Sequence, residues 1–236
     1  MEQNLANPKS PMPRMAQNDA ADLAKLGRRQ HVPKSAYVFQ VGELASHVYL
    51  LESGQVKVYR SSAHGTQVLL FFHGRNEVIG IHETMLGSGE RLRTYAAQAS
   101  EDSVICGVPR ERFLAFLATR FRAAQYIIDA LCFRLDETNE KLASFAAADM
   151  GARVARVILH MSTCYGEHVG NQAVDLGVPL TQQELANIIG AARQTVNGII
   201  QSLKAEGIIT VSKQHMRVLN ESRLRRIATR DAGGDR

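Results

Sequence analysis

"TQQELANIIGAARQTVNGII", residues 181–200, is the stretch on which the reading of the fold turns. Thr181 precedes Glu184 by three residues, the S/T-x-x-E spacing of a capping box, so a helix starts at Gln182. Leu185, Ile188 and Ile189 give that helix an apolar face, and Gly190 stops it as a left-handed C-terminal residue does. A second helix begins near Ala192 and turns Val196, Ile199, Ile200 and Leu203 inward. Counted from Gln182, residues Ala186, Gly190, Val196 and Ile199 fall at positions 5, 9, 15 and 18. These are the small, glycine and apolar positions of a helix-turn-helix. "IITV", "SKQH" and "MRVL" then read as strand, turn and strand, which completes a winged unit.

The wet face of the second helix is not that of an ordinary surface helix, where Glu, Lys and Ala lose little conformational freedom. It carries a forked cation, two amides and a hydroxyl: Arg193, Gln194, Asn197 and Thr195. Such groups read base edges and grip phosphates. Thr181, Gln182, Arg193, Gln194, Thr195, Asn197 and Gln201 are therefore the candidate contacts to double-stranded DNA.

Upstream, "SAYVFQVGE", "HVYLLESGQVKVYRS", "TQVLLFFHG" and "DSVICGVPRERF" are short runs rich in Val, Tyr and Phe, separated by Gly-bearing turns. Even spacing of short strands predicts a rolled or closed β structure. The period then changes. Phe121, Ala124, Ile128, Leu131, Leu135, Thr138, Leu142 and Phe145 are spaced alternately by three and four residues, a heptad seam in a helix without Pro or Gly. The seam predicts a homodimer through Ile128, Leu131, Leu135, Thr138, Leu142 and Phe145; packing on the β domain is the other use of such a face. The expected fold class is α+β. Residues 1–24 are a flexible N-terminal segment, 25–116 a β-roll sensor domain, 117–149 a long dimerisation helix and 150–236 a winged helix-turn-helix domain.

From about residue 30 to 224 this order resembles the Crp/Fnr family, the transcription regulators related to the cyclic-AMP receptor protein and the fumarate–nitrate regulator. The family's recognition helix resembles G-x-S-R-E-T-V-x-R; here the stretch reads G-A-A-R-Q-T-V-N-G. The match implies a base-reading Arg193 and a phosphate-touching Thr195. Gln194 replaces the usual Glu, and Gly198 stands where a second Arg would be. In the sensor, "IHETMLGSGERLRT" resembles the family's cyclic-nucleotide pocket, since Glu83 lies ten residues before Arg93 and Thr94 follows. The resemblance implies that Glu83 accepts a ribose hydroxyl while Arg93 and Thr94 hold a cyclic phosphate. "RLDETNEKL" resembles the helix segment whose residues touch the base, which implies Thr138 and Asn139. His82 replaces the motif glycine. Pairing of Arg93 with Glu83 or Glu90 is the alternative use of these side chains.

The cofactor is not fixed by the sequence. A cyclic nucleotide leads, and a haem-dependent gas or redox sensor is second. "V-I-G-I-H", ending at His82, resembles the strand of the family's haem-containing carbon-monoxide sensor but lacks its Cys. An iron–sulfur cluster is disfavoured because no Cys precedes Cys106. Cys106, Cys132 and Cys164 are odd in number and far apart, without ligand-like spacing, which suggests a reducing cytoplasmic setting and no metal site. Net charge is +5, with 11 Lys/Arg against 7 Asp/Glu in residues 150–236, a bias that suits a polyanion or a solvated basic tail. No membrane span, no targeting segment and no catalytic motif is read. RNA polymerase is a further expected partner. A nucleotide-binding module that regulates a protein partner is the reading from another class.

Overall fold

The computed structural model describes residues 12–61, 67–87, 89–145, 149–169, 173–212 and 215–229, without the side chains at 140, 141 and 143–145. The chain divides into two compact units, Pro13–Cys132 in the first and Phe133–Arg236 in the second.

The first unit opens with helix α1 (Gln17–Ala24) and strands β1 (Arg28–Val32), β2 (Tyr37–Phe39), β3 (His47–Ser53), β4 (Val56–Ser61), β5 (Gln67–His73) and β6 (Val78–Ile79). Short helix α2 (Ile81–Met85), strands β7 (Ala96–Ala99) and β8 (Ser103–Pro109) and helix α3 (Arg110–Thr119) follow. Two antiparallel sheets form, in the orders β1-β8-β3-β6 and β2-β7-β4-β5. Apolar side chains from both sheets, among them Phe39, Leu51, Val58, Ile79, Ala97 and Ile105, share one core. A second core joins Leu50, Val78 and Cys106 to Leu23 of α1, Phe113 of α3 and the start of helix α4 (Phe121–Phe145).

Three expectations are corrected here. Residues 1–11 lie outside the described residues, but the supposedly flexible segment is ordered from Met12, and α1 buries Ala20 and Leu23 against the roll. Apolar residues inside that polar stretch gain enough burial to hold a helix. The long helix begins at Phe121 and not at 117, because the chain leaves the helical region at Arg120 (φ −130°, ψ 86°). Finally, the unit boundary falls within α4 and not at its end. Ala123, Tyr126, Ile127 and Ala130 belong to the roll's core, and the Tyr126 hydroxyl accepts from the Val78 N–H at 3.0 Å. The start of α4 thus packs on the β domain, and part of the predicted seam lies on an adjoining, exposed face. Ile128, Leu131, Leu135 and Leu142 are exposed, Leu135 at 61% and Leu142 at 63%. The Phe145 side chain lies outside the described residues.

The second unit holds helix α5 (Met150–Tyr165), strands β9 (Glu167–Val169) and β10 (Ala173–Asp175), helices α6 (Gln182–Ile189) and α7 (Arg193–Ala205), strands β11 (Ile209–Ser212) and β12 (His215–Val218), and helix α8 (Glu221–Ala228). The sheet order is β11-β12-β10-β9, so the predicted hairpin is half of a four-stranded sheet. Helix α5 packs against α6, α7 and α8. No helix among the described residues is long and apolar enough to cross a membrane.

Candidate functional site

The helix pair is built as its sequence dictates. Thr181 Oγ1 accepts from the Glu184 N–H at 3.1 Å and the Glu184 carboxylate accepts from the Thr181 N–H at 2.8 Å, closing the capping box. Gly190 adopts φ 68° and ψ 37°, a left-handed conformation that turns the chain into α7 without a Cβ clash. Leu185, Ala186 and Ile189 of α6 and Val196, Ile200 and Leu203 of α7 are buried, whereas Ile199 is only half-buried.

That packing fixes what α7 shows to solvent. Arg193, Gln194, Thr195, Asn197 and Gln201 are exposed, and Thr181 and Gln182 are half-buried at the start of α6. Asn197 Oδ1 accepts from Gln201 Nε2 at 3.4 Å, one turn along the helix. Among the described residues Arg193 has no ion pair. The cations near the C-terminus are differently engaged: Arg223 pairs with Glu206 at 3.1 Å, Arg225 pairs with Glu221, and Arg217 of β12 pairs with Asp175 at 2.8 Å. Of the "SRLRRIATR" stretch, residues 222–228 therefore form part of helix α8, with Arg225 paired inside it and Arg223 paired to Glu206, while Arg230 lies outside the described residues.

In the first unit Glu83, Arg93 and Thr94 do meet, closed on one another. Arg93 is 2% exposed and stacks its guanidinium 4.2 Å from the Phe39 ring centroid. Its Nη1 donates to the Gly80 carbonyl at 2.8 Å and to Glu83 Oε2 and Thr84 Oγ1 at 3.3 Å, and Nη2 donates to the His47 carbonyl. Glu83 Oε1 accepts from the Thr94 N–H at 2.8 Å and the Thr94 hydroxyl at 2.9 Å. Burial pushes the Glu83 carboxyl up. Hydrogen bonds from the Thr94 N–H, its own backbone and the Thr94 hydroxyl, with the Arg93 charge, outweigh burial and hold it below the usual carboxylate range. Gly80 sits at φ 80°, and a Cβ there would lie 2.8 Å from Arg93 Nη1, so glycine is what lets the guanidinium reach this carbonyl. One Arg93 donor, Nε, is buried without a partner.

Sequence reasoning missed His47, Thr84 and Phe39 as parts of this site. They come from other elements, and only the tertiary fold brings them together. Glu90, the other suggested partner of Arg93, is exposed. His82 is exposed with its ring edge-on to Tyr95 at 5.2 Å. Thr138 and Asn139 belong to the other unit and are exposed, and the Thr138 hydroxyl donates to the Arg134 carbonyl of its own helix at 2.8 Å.

A Crp-like helix-turn-helix domain matches residues 152–227 and a cyclic nucleotide-binding domain matches residues 29–120. The CRP-like cAMP-activated global transcriptional regulator of Mycobacterium tuberculosis is 28% identical over 208 residues, 88% of this chain and 91% of its own length. The cyclic AMP receptor protein of Thermus thermophilus is 26% identical over 201 residues, 85% of this chain and 88% of its own. Among solved structures, a CooA mutant from Carboxydothermus hydrogenoformans superposes with a TM-score of 0.71 at 19% identity, covering 88% of this chain and 90% of the other.

Proposed function

The chain belongs to the Crp/Fnr family of transcription regulators, and from that premise we propose how its residues divide the work. Two copies join along the exposed α4 seam and present two α7 helices to successive major grooves, about one helical turn apart. Arg193 reads a guanine through two parallel hydrogen bonds to O6 and N7, Gln194 reads a neighbouring base, and Thr195 holds a phosphate. The DNA-bound dimer then acts on RNA polymerase. What carries this reading is the first turn of α7: a guanidinium exposed and, among the described residues, without an ion pair, on a helix held against the unit by buried Val196, Ile200 and Leu203.

Selection from random duplexes tests it. Arg193→Ala and Arg193→Lys are expected to relax one base pair per half-site, at a cost of about 1–3 kcal/mol, since an ammonium cannot reproduce the fork. Thr195→Val should weaken every site alike. If wild type and Arg193→Ala enrich one motif equally well, Arg193 is not a base reader.

The effector site we assign to Glu83, Arg93 and Thr94, with a cyclic nucleotide as the ligand class. The unpartnered Arg93 Nε supports an anionic oxygen there, because a buried donor without an acceptor is costly until something fills it. Binding would trade the Arg93–Glu83 contact for phosphate and ribose contacts and so alter the pose of α2. Titration calorimetry with cyclic AMP, cyclic GMP and cyclic di-GMP should show binding by one of them that Glu83→Gln weakens. Failure of all three would leave the trio a structural latch.

A further inference from the structure

Three side chains with metal-binding chemistry converge in the second unit, and none of them belongs to either site above. Glu137 of α4 is 2% exposed and Cys164 of α5 is 6% exposed. His160 stands one helical turn before Cys164, so both project from the same face of α5. His160 Nε2 lies 3.0 Å from Glu137 Oε1 and 3.6 Å from Cys164 Sγ, and one ligand atom from each residue falls within 4.8 Å of the others. In a tetrahedral zinc site, with bonds of about 2.0–2.1 Å to nitrogen and oxygen and about 2.3 Å to sulfur, the N···S edge is about 3.5 Å and the N···O edge about 3.3 Å. The two separations from Nε2 lie within a few tenths of an ångström of these edges; Cys164 Sγ is also 3.7 Å from His160 Nδ1, so binding requires the imidazole to turn until its Nε2 lone pair faces an ion held between the oxygen and the sulfur. Arg134 Nη1 donates to the other Glu137 oxygen, Oε2, at 3.1 Å, leaving Oε1 turned toward His160. Tyr165 adds a hydroxyl 3.4 Å from Oε1.

We propose that Glu137 Oε1, His160 Nε2 and Cys164 Sγ form a binding site for a thiophilic divalent transition-metal ion of the zinc class. One sulfur, one imidazole and one carboxylate select such an ion over magnesium or calcium, which demand oxygen shells. Water or the Tyr165 oxygen completes the fourth position. On binding, the Glu137–His160 hydrogen bond is exchanged for two metal bonds and the thiol proton of Cys164 passes to solvent, with no change of oxidation state. The ion ties the later part of α4 to α5, on which α6, α7 and α8 pack, so it would set the pose of the winged helix relative to that part of α4. The cysteine spacing held no ligand pattern when cysteines were read alone; the missing signal was the His-x-x-x-Cys pair, with Glu137 brought in by the fold. The site rests on the geometry of α4 and α5 alone, independently of how α7 meets DNA or what Arg93 binds.

Full-length protein, stripped of metal with a chelator, is titrated with cobalt(II). The expected result is one ion per chain, with the visible bands of a tetrahedral site and a sulfur-to-cobalt charge-transfer band. That band should vanish in Cys164→Ser and persist in Cys106→Ser and Cys132→Ser. A second measurement uses only wild type: zinc should slow alkylation of Cys164 while leaving exposed Cys132 as reactive as before. No charge-transfer band at equimolar cobalt, a band that survives Cys164→Ser, or unchanged alkylation of Cys164 with zinc would each overturn the proposal.

Discussion

Arg93 and Arg193 put the same guanidinium into opposite circumstances. The first is buried, stacked on Phe39 and committed to two backbone carbonyls, a carboxylate and a hydroxyl. The second stands in water on the first turn of α7. A cation already holding acceptors must release some of them to take a ligand, whereas a solvated one exchanges only water and counterions. The two regions should therefore answer differently to the same kind of change: the β-roll site through stability, the recognition helix through specificity.

The sharpest break of that comparison is Arg93→Met. Removing one partner of a buried pair leaves the Glu83 carboxylate with only its Thr94 hydrogen bonds and leaves the Gly80 and His47 carbonyls without their guanidinium, at a cost of up to about 3–5 kcal/mol. Thermal melts should show a large fall in midpoint, while the motif selected from random DNA stays that of wild type. A midpoint close to wild type would mean that Arg93 is not the latch its contacts describe.

Next in size is the seam of α4. Leu135 is 61% exposed although it continues an apolar heptad, and Leu135→Arg places a charge where a second copy would pack. Light scattering should find monomers, and operator affinity should fall about 100-fold as two-site engagement is lost. A surviving dimer would move the interface elsewhere.

These elements differ in how much of them the sequence disclosed. The α6–α7 pair was legible in its cap, its turn and most of its apolar face, Ile199 excepted, because its signals are local and lie within twenty positions. Strands β6, β7, β9 and β10 are two to four residues long and gain their identity only from partners far along the chain, so no periodicity announced them. The apolar seam of α4 was visible, but the adjoining face, with Tyr126 and Ile127 in the roll's core, was not separated from it. At the effector site the ten-residue spacing of Glu83 and Arg93 was visible. That the two would close on each other depends on the carbonyls of Gly80 and His47, which no side-chain pattern encodes.

A smaller effect follows from acid. The Glu83 carboxyl is held below its ordinary value in the folded chain, so its stabilisation is complete above the unfolded pKa, near 4.5, and is lost as pH falls through the lower folded pKa. Melting midpoints measured from neutral pH downward should decline in that acidic window. In Glu83→Gln the midpoint should be lower at neutral pH and should decline less with acid. Parallel curves for the two proteins would place the acid sensitivity elsewhere.

The finest distinction lies within α7 itself, at Gly198. A Cβ there would meet nothing within 4 Å, so the space is open in the free protein. Glycine inside a helix is about 0.8–1.0 kcal/mol less favourable than alanine, because the unfolded chain loses more freedom there. Gly198→Ala should accordingly raise stability by somewhat under about 1 kcal/mol, read as a small rise in denaturant midpoint at constant slope. Its effect on DNA decides what the glycine is for. If operator affinity is unchanged, Gly198 faces away from the duplex, and Gly198→Arg should leave the salt dependence of binding as it was. If affinity falls while stability rises, the helix backbone approaches the DNA at this position and the methyl group obstructs it. Should Gly198→Arg bind more tightly and steepen the salt slope by about one unit, the new guanidinium has found a phosphate. Gly198 then belongs to the same face as Arg193, which the wild-type chain leaves short of one cation.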